Sequence, residues 1–169
     1  GNTQLSGVLT VNAAATGMSA GDANISGDLY LGGDLYGSGA DVAEKFPTSD
    51  SSLEPGDVVV MDTGLSGDEY GVVKSSEAAD TLVVGVVTTD PAIVMGKEGI
   101  PIAMTGTAPT KATTENGAIN VGDFLTSSST PGMAMKCASI GDCEGAVIGK
   151  ALTSLESGEG TVRVLVTLA

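Results

Sequence analysis

The chain has no histidine and no tryptophan, and its aromatic set is three Tyr and two Phe among 169 residues. Without His, the usual general base and every Ser-His-Asp arrangement are excluded. A glycosidase built on paired carboxylates needs two acids at a fixed separation in a cleft, normally with aromatic walls for the sugar. Beyond residue 39 the only aromatics are Phe46, Tyr70 and Phe124, and the acids sit mainly in turn sequences. Bases are scarce too: seven against 21 acids, for a net charge of −14. Such a surface repels nucleic acid and anionic membranes. No run of roughly 18 apolar residues exists to cross a bilayer as a helix, so no membrane insertion is expected. Gly37-Ser38-Gly39 is followed by neither a helical pattern nor a Lys, which removes a phosphate loop. No catalytic residue, cofactor site or metal site is expected, and the chain is read as a non-enzyme.

Cysteine occurs twice, as Cys137 and Cys143, flanking Ala-Ser-Ile-Gly-Asp. That spacing does not match a Cys-x-x-Cys redox or zinc motif. It suits a disulfide across a hairpin turn, which would imply an oxidising compartment or a virion surface; two unpaired small core residues are the alternative. No signal peptide heads the chain, and Gly1-Asn2-Thr3-Gln4 lacks an initiator Met, so a piece of a longer protein is expected.

What is abundant is glycine, 25 residues, with many Val, Ala, Ser and Thr and 41% apolar residues overall. This composition favours strands and tight turns. The fold class is therefore all-β, with at most one helical turn at Ala40–Phe46.

Two textures divide the chain. In residues 1–39, Gly27-Asp28-Leu29-Tyr30-Leu31-Gly32 is followed by the near-copy Gly33-Asp34-Leu35-Tyr36-Gly37-Ser38. Leu5-Ser6-Gly7-Val8-Leu9 echoes Ile25-Ser26-Gly27-Asp28-Leu29, and a small-residue loop, Ala13–Gly21, lies between. One such unit cannot bury its own apolar stripe, but copies from neighbouring chains can cover it. A trimeric β-helix or β-prism stalk is expected, with Leu29, Tyr30, Leu35 and Tyr36 at the contacts between chains. Asp28 and Asp34 would form rings in a trimer; strand alternation puts them toward solvent rather than on a shared cation.

In residues 40–169 acids, Pro and longer apolar runs appear, and four blocks recur in order. Gly56-Asp57-Val58-Val59-Val60 matches Gly122-Asp123-Phe124-Leu125-Thr126, and Gly71-Val72-Val73-Lys74-Ser75 matches Gly132-Met133-Ala134-Met135-Lys136. Val84-Gly85-Val86-Val87-Thr88 matches Ile148-Gly149-Lys150-Ala151-Leu152, and Gly99–Met104 matches Gly160–Leu165. Halves of about 54–107 and 120–169 are expected, joined by a short Thr107–Glu115 connection. They should pack as a small pseudo-twofold β-barrel or sandwich, with Gly85 and Gly149 at bulges or corners. Lys74 and Lys136 hold corresponding places, their stems on the barrel and their amines in water.

Asp41-Val42-Ala43-Glu44-Lys45-Phe46-Pro47, Glu54-Pro55-Gly56-Asp57-Val58-Val59, Val84–Pro91 and Glu115–Thr126 together resemble the C-terminal head domain of trimeric phage tail-fibre and bacterial surface-fibre proteins. More loosely, the head is similar to the autoproteolytic domain of phage neck appendages, but no cleavage residues match. The resemblance implies a homotrimer at the distal end of an extracellular or virion fibre. Its role would be structural and adhesive, toward a cell-surface glycan or protein receptor. An assembly domain without a ligand, or a relic of a self-cleaving domain, is the alternative.

Overall fold

The computed structural model describes residues 28–168. The Leu5–Leu9 echo and the Ala13–Gly21 loop lie outside the described residues. The chain divides into two units between Leu35 and Tyr36, ahead of the change in composition at residue 40. In the first, residues 28–35 form no strand, and Tyr30 donates a 3.3 Å hydrogen bond from its hydroxyl to Asp28 Oδ2.

The second unit is all-β. Its strands are β1 (Asp41–Phe46), β2 (Val58–Met61), β3 (Val72–Lys74), β4 (Val83–Val87) and β5 (Ile93–Met95), then β6 (Ile100–Thr113), β7 (Phe124–Ser127), β8 (Ala134–Lys136), β9 (Val147–Ala151) and β10 (Glu159–Thr167). Among the described residues there is no α-helix; a single 3₁₀ turn spans Ile140–Asp142. The helical turn expected at Ala40–Phe46 is instead β1. It runs antiparallel to β6 and parallel to β5, and buries Asp41, Ala43 and Phe46. Its backbone groups find partners on both edges, which a lone helical turn would leave unsatisfied.

The Thr107–Glu115 connection is also corrected. Residues up to Thr113 belong to β6, a 14-residue strand that crosses both halves. Its first part pairs with β1 and β4, and its second part with β10, in register from Thr105↔Thr167 to Thr113↔Glu159. Pro109 speaks against a strand in the sequence, because it cannot donate to a ladder. Here it sits on an edge that needs no donor at that point. Thr107 donates to Ala40 O and Lys111 to Gly56 O, so the nitrogen of Pro109 falls between those two bonds on the same edge.

Strands β6, β8, β7, β9 and β10 close into a ring, because β10 pairs with both β9 and β6. The remaining strands extend from β6 through β4 and β2 to β3, with β1 and β5 alongside. The barrel interior is filled by small side chains: Ala108 and Ala112 of β6 with Val162, Val164 and Val166 of β10, all fully buried. On β10 these alternate with the outward Arg163 and Leu165. A second core gathers Phe46, Val59, Val72, Val84, Val87 and Ile102.

The two halves use the same registers. Val59 pairs with Gly85 and Lys74, while Leu125 pairs with Gly149 and Lys136. A bulge follows in each, between Val59 and Val60 and between Leu125 and Thr126. The glycines are there for close approach: a Cβ on Gly85 would collide with the Ala103 carbonyl oxygen, and one on Gly149 with the Leu165 carbonyl oxygen. Two of the four blocks match one residue away from their alignment by letter. Ile102 corresponds to Val164 rather than to Arg163, since Val87 pairs with Ile102 as Ala151 pairs with Val164.

Candidate functional site

The turn before β2 carries the densest polar network. Gly56 holds a left-handed φ of 85°, and Asp57 N–H donates to Glu54 O at 3.1 Å, which closes Glu54-Pro55-Gly56-Asp57. The Asp57 side chain, 1% exposed, is bonded on every side. Oδ2 accepts from Glu54 N–H at 2.8 Å and pairs with Lys74 Nζ at 2.9 Å. Oδ1 pairs with Lys111 Nζ at 2.8 Å, and the same ammonium reaches Glu54 Oε2 at 2.6 Å. Burial lowers the affinity of Lys111 for its proton, but the Asp57 and Glu54 carboxylates outweigh it and hold the amine above the ordinary lysine value. Lys111 in turn keeps the Glu54 carboxyl below its usual range.

The corresponding turn before β7 repeats the geometry with fewer charges. Asp123 Oδ2 accepts from Asn120 N–H at 2.8 Å and pairs with Lys136 at 2.9 Å. Burial pushes the Asp123 carboxyl up, yet the Asn120 N–H and Lys136 prevail and set it below the ordinary value. Lys74 and Lys136 therefore do not simply reach into water. Each pins the Gly-Asp turn of its own half.

Beside the first turn lies a cavity of about 440 Å³. Its wall includes Ser38, Asp41, Thr88, Thr89 and Asp90 with Thr107, Pro109, Lys111, Thr161 and Arg163. Asp41 is 4% exposed; its Oδ1 accepts a 3.4 Å bond from the Thr88 hydroxyl, and its Oδ2 is buried with no partner. Burial is the main cause raising the Asp41 carboxyl above the ordinary aspartate value; the Thr88 hydroxyl partly offsets it, and the nearby Asp90 adds to it. Ser38 donates to Asp90 Oδ1 at 3.2 Å. Asp41 was visible in the sequence only as part of a family-like motif. Its clearest signal there is an acid two residues before the buried Ala43, on the same face of the strand.

A second cleft, of about 420 Å³, is lined by Pro47, Thr48, Ser49, Asp62, Leu65, Asp68, Glu69, Tyr70 and Gly71. Tyr70 is half exposed and meets Phe46 edge to face, with ring centroids 6.2 Å apart. Its hydroxyl end is thus presented from a ring held by the core.

Cys137 and Cys143 form a disulfide, with Cα atoms 6.2 Å apart, bracketing the 3₁₀ turn beside Val147. Leu29, Tyr30, Leu35 and Tyr36 are exposed in the single chain and belong to neither core. Among the described residues no group of three or more His, Cys, Asp or Glu is placed to hold a metal ion.

No family model matches the chain, and no curated protein does. Among solved structures, it is similar to the N base of head fibre gp8.5 of bacteriophage phi29, with 14% identity, 76% of this chain and 90% of that chain covered, and a TM-score of 0.42. At an identity and score this low, function is read from the chain's own residues.

Proposed function

We propose that the chain is the distal part of a homotrimeric extracellular or virion fibre, structural rather than enzymatic, whose head presents a surface to a cell-surface glycan or protein receptor. The observation that carries this reading is the apolar stripe on a Gly-bounded hexad. Leu29, Leu31 and Leu35 are 59, 53 and 62% exposed and Tyr30 is 88% exposed in the single chain. With little more than half of its surface still in water, each leucine forgoes about 1–2 kcal/mol of burial. Association of identical chains through residues 1–39 recovers it. Light scattering on the full chain should give three times the single-chain mass, and Leu29→Asp with Leu35→Asp should reduce it to one. A wild-type protein that runs as a single chain at micromolar concentration removes the trimer.

The adhesive part of the proposal is supported by the cleft at Tyr70. A ring held by Phe46, flanked by Asp62, Asp68 and Glu69, combines a stacking face with hydrogen-bond acceptors, the chemistry of sugar recognition. Binding on a glycan array that vanishes in Tyr70→Ala is the expected result. A blank array for the wild type leaves assembly alone as the role of the head.

A further inference from the structure

We propose that the outer face of β7, β9 and β10 docks on the acidic first half of a neighbouring copy of the chain, and so orders the heads around the trimer. Phe124, Lys150 and Leu165 stand side by side on that face, Phe124 opposite Lys150 and Lys150 opposite Leu165. Leu152 continues it, its N–H donating to Arg163 O at 2.7 Å, and Arg163 lies two residues from Leu165 on the same side of β10. All five are exposed. The same register in the first half sets Val58 opposite Val86 and Val86 opposite Ala103, and those three are fully buried in the barrel core. Phe124 and Leu165 are thus left in water at positions whose counterparts, Val58 and Ala103, are packed.

Charge selects the occupant. Lys150 and Arg163 are two of the chain's seven basic residues, and neither is in an ion pair among the described residues. Lys150 Nζ lies 4.8 Å from the centroid of the Phe124 ring, and none of the five residues is acidic. An aromatic ring, two leucines and an unpaired arginine suit an interface whose other side brings carboxylates. A second copy supplies them: residues 54–107 hold nine acids against two bases, and residues 120–169 five against three. Chains around a threefold axis meet through two different faces, which sets the second half of one copy on the first half of the next. The proposal rests on the association through residues 1–39, which holds the heads close enough for so small a face to suffice.

The test is zero-length carbodiimide coupling of lysine to carboxylate in the full chain, read by denaturing gel and peptide mass mapping, with light scattering in parallel. Residues 1–39 contain no lysine, so coupled lysines report on the head. Wild type should give covalent dimers in which Lys150 is joined to a carboxylate within residues 54–107. Lys150→Gln should lose that product, and Lys97→Gln should keep it. Lys150→Glu with Arg163→Glu, at exposed positions where folding is not at risk, should raise the concentration at which the trimer dissociates by about tenfold or more. A trimer in which Lys150 couples only within its own chain, only to the second half of a neighbour or not at all overturns the docking and leaves the stalk association standing. An unchanged dissociation concentration in the double charge reversal does the same. A wild type of single-chain mass removes the association itself, and the docking with it.

Discussion

Neutralising Asp57 should cost far more than neutralising its counterpart Asp123, although the two turns share one backbone geometry. In Asp57→Asn the amide keeps its size but loses the charge that two ammonium groups face, Lys74 at 2.9 Å and Lys111 at 2.8 Å. Breaking a buried charge network from one side costs about 3–5 kcal/mol. The lysine side chains here are 20% and 28% exposed, so water takes back part of that, leaving about 2–4 kcal/mol. Asp123 faces only Lys136, and their side chains are 22% and 29% exposed, which limits the loss in Asp123→Asn to about 1 kcal/mol. The gap of about 2 kcal/mol corresponds to roughly 4–8 °C in melting temperature for a domain of this size. Urea unfolding followed by circular dichroism should yield the same order, with an unchanged slope. Pairing Asp57→Asn with Lys111→Met isolates the coupling between the two. Equal losses for the two aspartates, or a larger one at Asp123, would refute the reasoning.

Gly85→Ala and Gly149→Ala should each destabilise by about 2–3 kcal/mol or more, because the added methyl meets a backbone carbonyl that cannot move without opening the ladder; Gly117→Ala, where a Cβ meets open space but φ is 96°, should cost only about 1 kcal/mol, and denaturant midpoints that rank it beside the other two would contradict this. Acid should destabilise the head through Asp123 and Asp50, whose carboxyls both sit below the ordinary value, Asp50 through the Ser52 hydroxyl and the Lys74 N–H. A depressed folded pKa contributes stability that is present above the unfolded value of about 4 and is lost as pH falls through the folded one. Melting temperatures of Asp50→Asn and Asp123→Asn should therefore fall less than wild type below about pH 4, and parallel curves would show that neither group contributes.

The all-β class was legible because glycine and turn residues punctuate short Val-rich runs, a pattern that no helix period fits. Gly56-Asp57 and Gly122-Asp123 were legible as a repeated pair, but their lysines were not legible as partners, because a salt bridge across β2 and β3 needs the pairing register. That register was misread by one residue in two blocks. Matching glycine to glycine set Ile102 against Arg163, a buried residue against an outward one. A slip of one exchanges the two faces of a strand, so burial decides in favour of Ile102 with Val164. The second half of β6 was hidden for a different reason. Ala108, Thr110 and Ala112 face the barrel, yet they are too small to stand out as an apolar stripe, and Pro109 interrupts them.

Those small residues also explain why the halves are not equal. The second half closes on itself because β10 spans from β9 to β6, and only Ala and Thr on β6 leave room for three valines in so narrow a ring. The first half has no strand that closes it. Ile102 and Phe46 pack beside the barrel instead, and the sheet runs out at β3. An open half needs other ties, and its charges are placed where they supply them. Lys111, at the far end of β6, reaches back to Asp57 and Glu54 of the first turn, while Lys111 N–H donates to Gly56 O. The second turn has no such visitor and needs none. On that view the doubled ion pair at Asp57 substitutes for the missing strand.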